Sequence, residues 1–289
     1  MKVKFITSIY CDLFGTELGG RPNRGLHYRY SLLSLLKMTD ADFVCYTSER
    51  EIEELKKFFY EENNISEDKL NLIEYDISKT KFKDLINKYK NVEDTKKSDR
   101  CVEIQYSKFE WWWNEDKTYD YYFWVDAGLS HCGIIPDKHL TTNLGYRSYF
   151  ESTIFNNNFL KKLVEFTNDK FFILSKENER NYWSGTVEAK WYTEHNRSRH
   201  IIGGLFGGKT ELWDRIVSMF EEYVTKIIEE DKKIYFEENI MTLMYFNHLD
   251  LFVDKEFDIW WHENNHKEGT KEFFEQNKSF YKILEELNG

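Results

Sequence analysis

Short apolar runs alternate with amphipathic stretches along most of this chain. Residues 2–10 (KVKFITSIY) are rich in β-branched and aromatic side chains and predict a first strand. A loop carrying Gly15, Gly19, Gly20 and Gly25 follows. Over 26–38 the residues Leu26, Tyr30, Leu33 and Leu36 fall on one helical face. Residues 42–47 (DFVCYT) predict a second strand. Ser48 followed by Glu51 forms a capping-box pattern that opens a helix over 49–60. A third strand at 71–75 and a helix near 81–90 complete the first third of the chain.

Strand–helix–strand–helix–strand with short joints predicts a parallel, right-handed α/β sheet. Ligands of such sheets bind outside the carboxyl ends of the strands, here where the loop from Tyr10 to Gly25 and the chain after Asp126 gather. Residues 91–100 are polar and predict a surface loop, and 101–118 contain Trp111, Trp112 and Trp113 in a row. YYFWVDAGLSH at 121–131 predicts a buried strand running into one acidic residue, Asp126. The pattern is less regular from there to 150. It resumes with a strand at 171–174 and, at 200–208 (HIIGGLFGG), a short strand with a glycine-rich bend. Helices are expected over 210–229 and 236–247, strands at 250–253 and 257–262, and a last helix near 270–287. No repeat or linker divides the chain, so one domain over 1–289 is expected.

Composition narrows the function classes. With 289 residues, 41% of them hydrophobic and 31% charged, the chain is globular rather than a disordered tail. Aromatic residues reach 18%, which suits a sheet-rich core or clefts that stack on rings. Pro22 and Pro136 are the only prolines, so no proline-rich linker exists. The net charge of −11 argues against polyanion binding by the whole surface, though not against a local basic cleft. Cys11, Cys45, Cys101 and Cys132 show neither zinc-knuckle nor CxxC spacing, and a reducing cytoplasm is the expected setting. The N-terminal residues lack a signal-peptide pattern, and no apolar stretch is long enough to span a membrane.

Five segments carry candidate chemistry. Asp126 ends a buried strand and is followed by small residues; a carboxylate there is costly unless it binds something. Its oxygens suit magnesium or manganese beside a diphosphate, and Ala127 and Gly128 leave room for a nucleotide; the alternative is a loop-capping Asp. DIWWHENNHKEG at 258–269 offers His262, His266 and Lys267 as metal or phosphate partners, or is a solvated loop. HIIGGLFGGK at 200–209 lets the chain lie against a flat ligand through Gly203, Gly204 and Gly207, or packs strand on helix. Its spacing rules out a Walker A loop. Glu237 and Glu238 stand at a helix start, where the dipole alone accounts for them; one of them is also a candidate general base. GGRPNRGLHYRY at 19–30 makes a cationic, aromatic patch of Arg21, Arg24 and Arg29 that suits a phosphate, or forms surface ion pairs. Among the three tryptophans, core packing is the expected role for most, with Trp112 a candidate for stacking on a sugar or base. Neither a GxSxG elbow nor a dinucleotide fingerprint is present, which disfavours a serine hydrolase and a dehydrogenase.

FITSIY, RGLHYRYSLLSLL, DFVCYTS, YFWVDAG, HIIGGLFGG and FEENIMTLMY, in that order, resemble a GT-A-type glycosyltransferase, and specifically the HtrL/YibB-like family. LGGRPNRGLHYRY also resembles T-even-type phage enzymes that decorate hydroxymethylcytosine in DNA with arabinose or glucose. The resemblance implies a GT-A-like, mostly parallel sheet flanked by helices, with 1–130 as nucleotide-sugar half and 131–289 as acceptor half. It implies a nucleoside-diphosphate sugar donor, with UDP expected, and a DNA or glycan acceptor. Asp126 takes the place of a metal-binding DxD motif whose second acid is here Gly128, so His262 is the expected second ligand of a manganese or magnesium ion. An inactive sugar-nucleotide-binding module remains an alternative. Thr7, Ser8, Arg21, Arg24, Arg29, Asp126, Ala127, Gly128 and Lys267 fall on the donor side. Glu237 or Glu238 is the expected base, and Trp112, Gly203, Gly204 and Gly207 face the acceptor.

Overall fold

The computed structural model describes residues 1–11, 25–89, 101–128, 157–177 and 199–256. Along this chain run β1 (Val3–Ile9), α1 (Gly25–Met38), β2 (Asp42–Thr47), α2 (Glu49–Lys56), β3 (Leu70–Glu74), α3 (Lys83–Tyr89), α4 (Val102–Glu110), β4 (Tyr121–Val125), α5 (Asn157–Thr167), β5 (Phe171–Glu177), β6 (Arg199–Lys209), α6 (Thr210–Asp231), α7 (Glu237–Asn247) and β7 (Phe252–Glu256). The seven strands form one sheet in the order β3-β2-β1-β4-β6-β5-β7. Six run in the same direction; β6 lies antiparallel to both of its neighbours, β4 and β5. The mostly parallel α/β sheet expected from the sequence is therefore present. The pairing of β4 with β6 joins the two expected halves in a single sheet.

Alternation along each strand builds two cores, because successive side chains point to opposite faces. One face carries Phe5, Phe43, Cys45, Phe123, Val125 and Leu205, packed with Leu32, Leu36, Leu55 and Leu163 of the helices α1, α2 and α5. The other carries Ile6, Val44, Tyr46, Tyr122, Trp124 and Phe206, packed with Ile86, Tyr106, Phe109, Trp213, Phe220 and Ile240 of α3, α4, α6 and α7. The aromatic excess is spent here: Trp111 stacks on Tyr46 with ring centroids 4.8 Å apart, and Phe109 on Phe220 at 3.8 Å.

The expected start of the second helix holds. Ser48 caps α2, its side chain accepting from the Glu51 amide. The helix expected over 49–60 stops as an α-helix at Lys56 and continues as a wider turn over Lys57–Glu62. The segment 200–208 departs from expectation: it belongs to one long strand rather than a short strand and a bend. The irregularity survives as a bulge, since β5 pairs Ile173 with Phe206 and then Leu174 with Ile202, leaving Gly203, Gly204 and Leu205 without β5 partners. The expected elements at 91–100, 257–262 and 270–287 lie outside the described residues. Among the described residues, no helix is long and apolar enough to cross a membrane.

Candidate active site

The carboxyl ends of β1, β2 and β4 lie at one edge of the sheet, and the start of β6 reaches the same edge because that strand runs backwards. Asp126 is the first residue beyond β4. Its amide donates to the Gly204 carbonyl at 2.8 Å, which extends the β4–β6 ladder by one bond. Its side chain lies on the Trp124 face of the sheet, and the Trp124 indole donates to Asp126 Oδ1 at 2.8 Å. The carboxylate is 43% exposed, so it faces outward from a rigid root.

Beneath it lies Lys108 of α4, a residue that the sequence did not single out. The Lys108 ammonium donates to Asp126 Oδ1 at 3.0 Å, to the Gly203 carbonyl at 3.0 Å and to Glu237 Oε1 at 2.8 Å. Its side chain is 7% exposed and sits 5.1 Å from the centre of the Trp124 ring. Burial alone pushes this ammonium toward its neutral form. The two carboxylates more than reverse that, so its pKa lies above the ordinary lysine value and it is charged.

The start of α7 is locked into the same cluster. Glu237 is buried, with its amide donating to Gln105 Oε1 at 3.4 Å. Glu238 is half-buried and its Oε1 accepts from the Gly203 amide at 3.1 Å. The Phe236 amide donates to the Asn239 side chain, and Thr242 accepts from the Ile201 amide, which joins α7 to β6. Carboxylates in a first helical turn also meet the positive end of the helix dipole.

The structure brings Asp126, Gly203, Gly204, Glu237 and Glu238 together. Ser8 lies on their side: it is two residues beyond Ile6, which pairs with Trp124, as Asp126 is two beyond Trp124. Other expected site residues are placed elsewhere. Thr7 is fully buried on the opposite face, its hydroxyl without a hydrogen-bond partner among the described residues. Ala127 is buried in that same core. Gly128 opens no space for a nucleotide, because a Cβ there would lie 2.4 Å from the Tyr28 ring. Arg29 is tied to Glu54 of α2 at 2.7 Å and bridges two helices. Trp112 is fully buried against Trp213, with its indole donating to Asp214, and packs on Tyr122 at the far end of β4. Gly207 lies inside the sheet at φ 153°, where a Cβ would meet the Tyr122 carbonyl at 2.3 Å. Packing accounts for Trp112 and Gly207, as it does for Gly203, whose missing Cβ leaves room for Glu237 Oε1. Arg21, Arg24, His262, His266 and Lys267 lie outside the described residues.

The described side chains do not by themselves make the expected cation site, whose second expected ligand, His262, lies outside them. No three His, Cys, Asp or Glu residues among them converge as a cage. Asp126 Oδ1 is already shared by an ammonium and an indole, which leaves Oδ2 as the sole outward oxygen of that carboxylate. Magnesium and manganese take about six ligands, so one oxygen is not a binding site by itself.

Sheet order, strand direction and an acidic strand end define a GT-A-like α/β fold, the class expected from the sequence. No family model matches the chain, and no curated protein sequence is significantly similar to it. Solved structures do resemble it. Mouse xyloside xylosyltransferase 1, in its apo form, aligns with a TM-score of 0.54 at 12% identity, over 96% of this chain and 93% of that one. The galactosyltransferase LgtC in complex with donor and acceptor sugar analogs aligns at 0.49 and 9% identity, over 96% and 83% of the two chains. The 4-diphosphocytidyl-2C-methyl-D-erythritol synthase of Anaerococcus prevotii aligns at 0.44 and 10%, over 97% and 96%. At such identities the likeness to the mouse enzyme is one of fold.

Proposed function

We propose that this chain is a nucleotide-sugar-dependent glycosyltransferase. The observation that carries the reading is Asp126: a half-exposed carboxylate rooted at the end of the central strand β4, at the sheet edge where ligands of this architecture bind. A nucleoside-diphosphate sugar, with UDP sugars first to test, would lie along that edge, and Arg21, Arg24 and Lys267 are the expected diphosphate partners. Asp126 Oδ2 accepts from a sugar hydroxyl and orients the anomeric carbon. The acceptor oxygen bonds to that carbon as the bond to the diphosphate oxygen breaks, and the nucleoside diphosphate leaves. Glu238, the more exposed of the α7 carboxylates, takes the hydroxyl proton, whereas Glu237 is committed to Lys108.

For the acceptor, the likeness of 18–30 to phage DNA-modifying enzymes suggests the hydroxymethyl group of hydroxymethylcytosine, and a lipopolysaccharide or capsule glycan is the alternative. The net charge of −11 supports the glycan, because a duplex binder gains most of its affinity from phosphate contacts. The deciding experiment incubates the purified protein with a panel of nucleotide sugars, with and without hydroxymethylated DNA or oligosaccharide, and measures released nucleoside diphosphate. Turnover with one donor that Asp126→Ala abolishes supports the reading. Donor binding without turnover on any acceptor would instead mark an inactive binding module.

A further inference from the structure

We infer that Lys108 is a positioning residue, built to hold Asp126, the Gly203 edge of β6 and the first turn of α7 in one geometry. This inference rests on the glycosyltransferase reading of the site. An ammonium has three N–H donors, and here all three are used: on Asp126 Oδ1, the Gly203 carbonyl and Glu237 Oε1. No donor remains for a ligand, and the side chain is nearly fully buried, so Lys108 acts through its partners.

The three partners come from three elements. Asp126 follows β4, Gly203 belongs to β6 and Glu237 opens α7, while Lys108 itself is on α4. A single buried charge thus ties the expected donor-binding and acceptor-binding parts of the edge. It draws Asp126 Oδ1 inward together with the Trp124 indole, which turns Oδ2 outward. It also holds Glu237 down, next in sequence to Glu238, whose Oε1 accepts from the Gly203 amide. A buried ion pair is a poor source of net stability but a good source of fixed geometry.

The test uses the full chain and the variants Lys108→Met, Lys108→Arg and the double variant Lys108→Met/Glu237→Gln. The double variant removes both buried charges with little change of volume, and its melting temperature is expected to recover most of what Lys108→Met loses. Its kcat is nevertheless expected to stay down by about 100-fold, with donor KM changed far less, because Asp126 is no longer aimed. Lys108→Arg keeps the charge and is expected to recover part of kcat. A second readout needs no turnover: the indole N–H resonance of Trp124, assigned with Trp124→Phe, is expected to shift in Lys108→Met as Asp126 swings away. A double variant with wild-type kcat and an unmoved Trp124 resonance would overturn the assignment. If the wild type itself turns over no donor, the glycosyltransferase reading fails, and the Trp124 resonance alone decides whether Lys108 positions Asp126. If the double variant does not fold, Lys108→Met carries the same two measurements; wild-type kcat with an unmoved resonance in that variant overturns the proposal.

Discussion

Glu237 Oε1 lies 2.8 Å from Lys108 Nζ, and both side chains are almost wholly removed from water. Removing Glu237 takes away one of the two carboxylates that compensate the buried Lys108 ammonium and leaves it Asp126 and the Gly203 carbonyl. Glu237→Ala is therefore expected to destabilise the protein by less than the about 3–5 kcal/mol of a fully uncompensated charge, and Glu237→Gln by less still. Denaturant melts of the two variants check this. Equal, small losses in both would show that the pair is solvated and contributes little.

A second close approach joins α1 to the strand end. A methyl group on Gly128 would sit 2.4 Å from Tyr28 Cε1 and 2.7 Å from Cδ1. Gly128→Ala must push the ring or the loop aside, at about 1–3 kcal/mol. Combining it with Tyr28→Ala removes the clash, so the double variant should be more stable than the sum of the single losses by about 0.5–3 kcal/mol. Strict additivity in a thermal-unfolding cycle would sink this account of the glycine.

Much of this fold is legible in the pattern of residues. DFVCYT forms β2 over the predicted range, YYFWV forms β4, and the acidic residue after it does mark the strand edge. The reversed direction of β6 is not legible, because a glycine-rich strand carries little of the alternation that reveals register. Lys108 escaped for a different reason. In VEIQYSKFE the polar residues Glu103, Gln105, Ser107 and Lys108 are of types that usually face water, yet all four are buried. The covering helices α6 and α7 arrive from more than a hundred residues away in sequence, and only that tertiary layer turns the lysine inward. Trp112 misled in the opposite sense: it has the chemistry to stack on a ligand, and the core uses it against Trp213.

Alkaline pH should expose the cost of burying phenols. Burial, aided by hydrogen bonds to Glu115, Glu110 and Asp116, raises the pKa of Tyr46, Tyr75 and Tyr122, and burial raises that of Tyr106. Tyr119 is pushed up to about 12, by burial first and then by its bond to Asp42. Raised folded values mean that these groups favour the native state fully below the ordinary phenol pKa of about 10. Their contribution is lost as pH climbs through the folded values. Unfolding midpoints are thus expected to hold up to roughly pH 10 and fall above it. Phenolate absorbance of these tyrosines should appear with unfolding, and free titration at the ordinary value in the folded protein would contradict their burial.

Metal binding separates a carboxylate that acts alone from one that shares an ion with His262. Asp126 contributes one outward oxygen, and an ammonium already occupies its other side. Manganese alone is therefore expected to leave the melting temperature within about 1 °C of the metal-free value, since one carboxylate oxygen gives an ion that takes about six ligands little to bind. Manganese together with a nucleoside diphosphate has phosphate oxygens to add to Asp126 Oδ2, and any stabilisation should appear in that combination and vanish in Asp126→Asn. A clear shift with manganese alone, lost in both Asp126→Asn and His262→Ala, would mean that His262 completes a cage around the ion. The carboxylate of Asp126 would then serve the metal first and the sugar only through it.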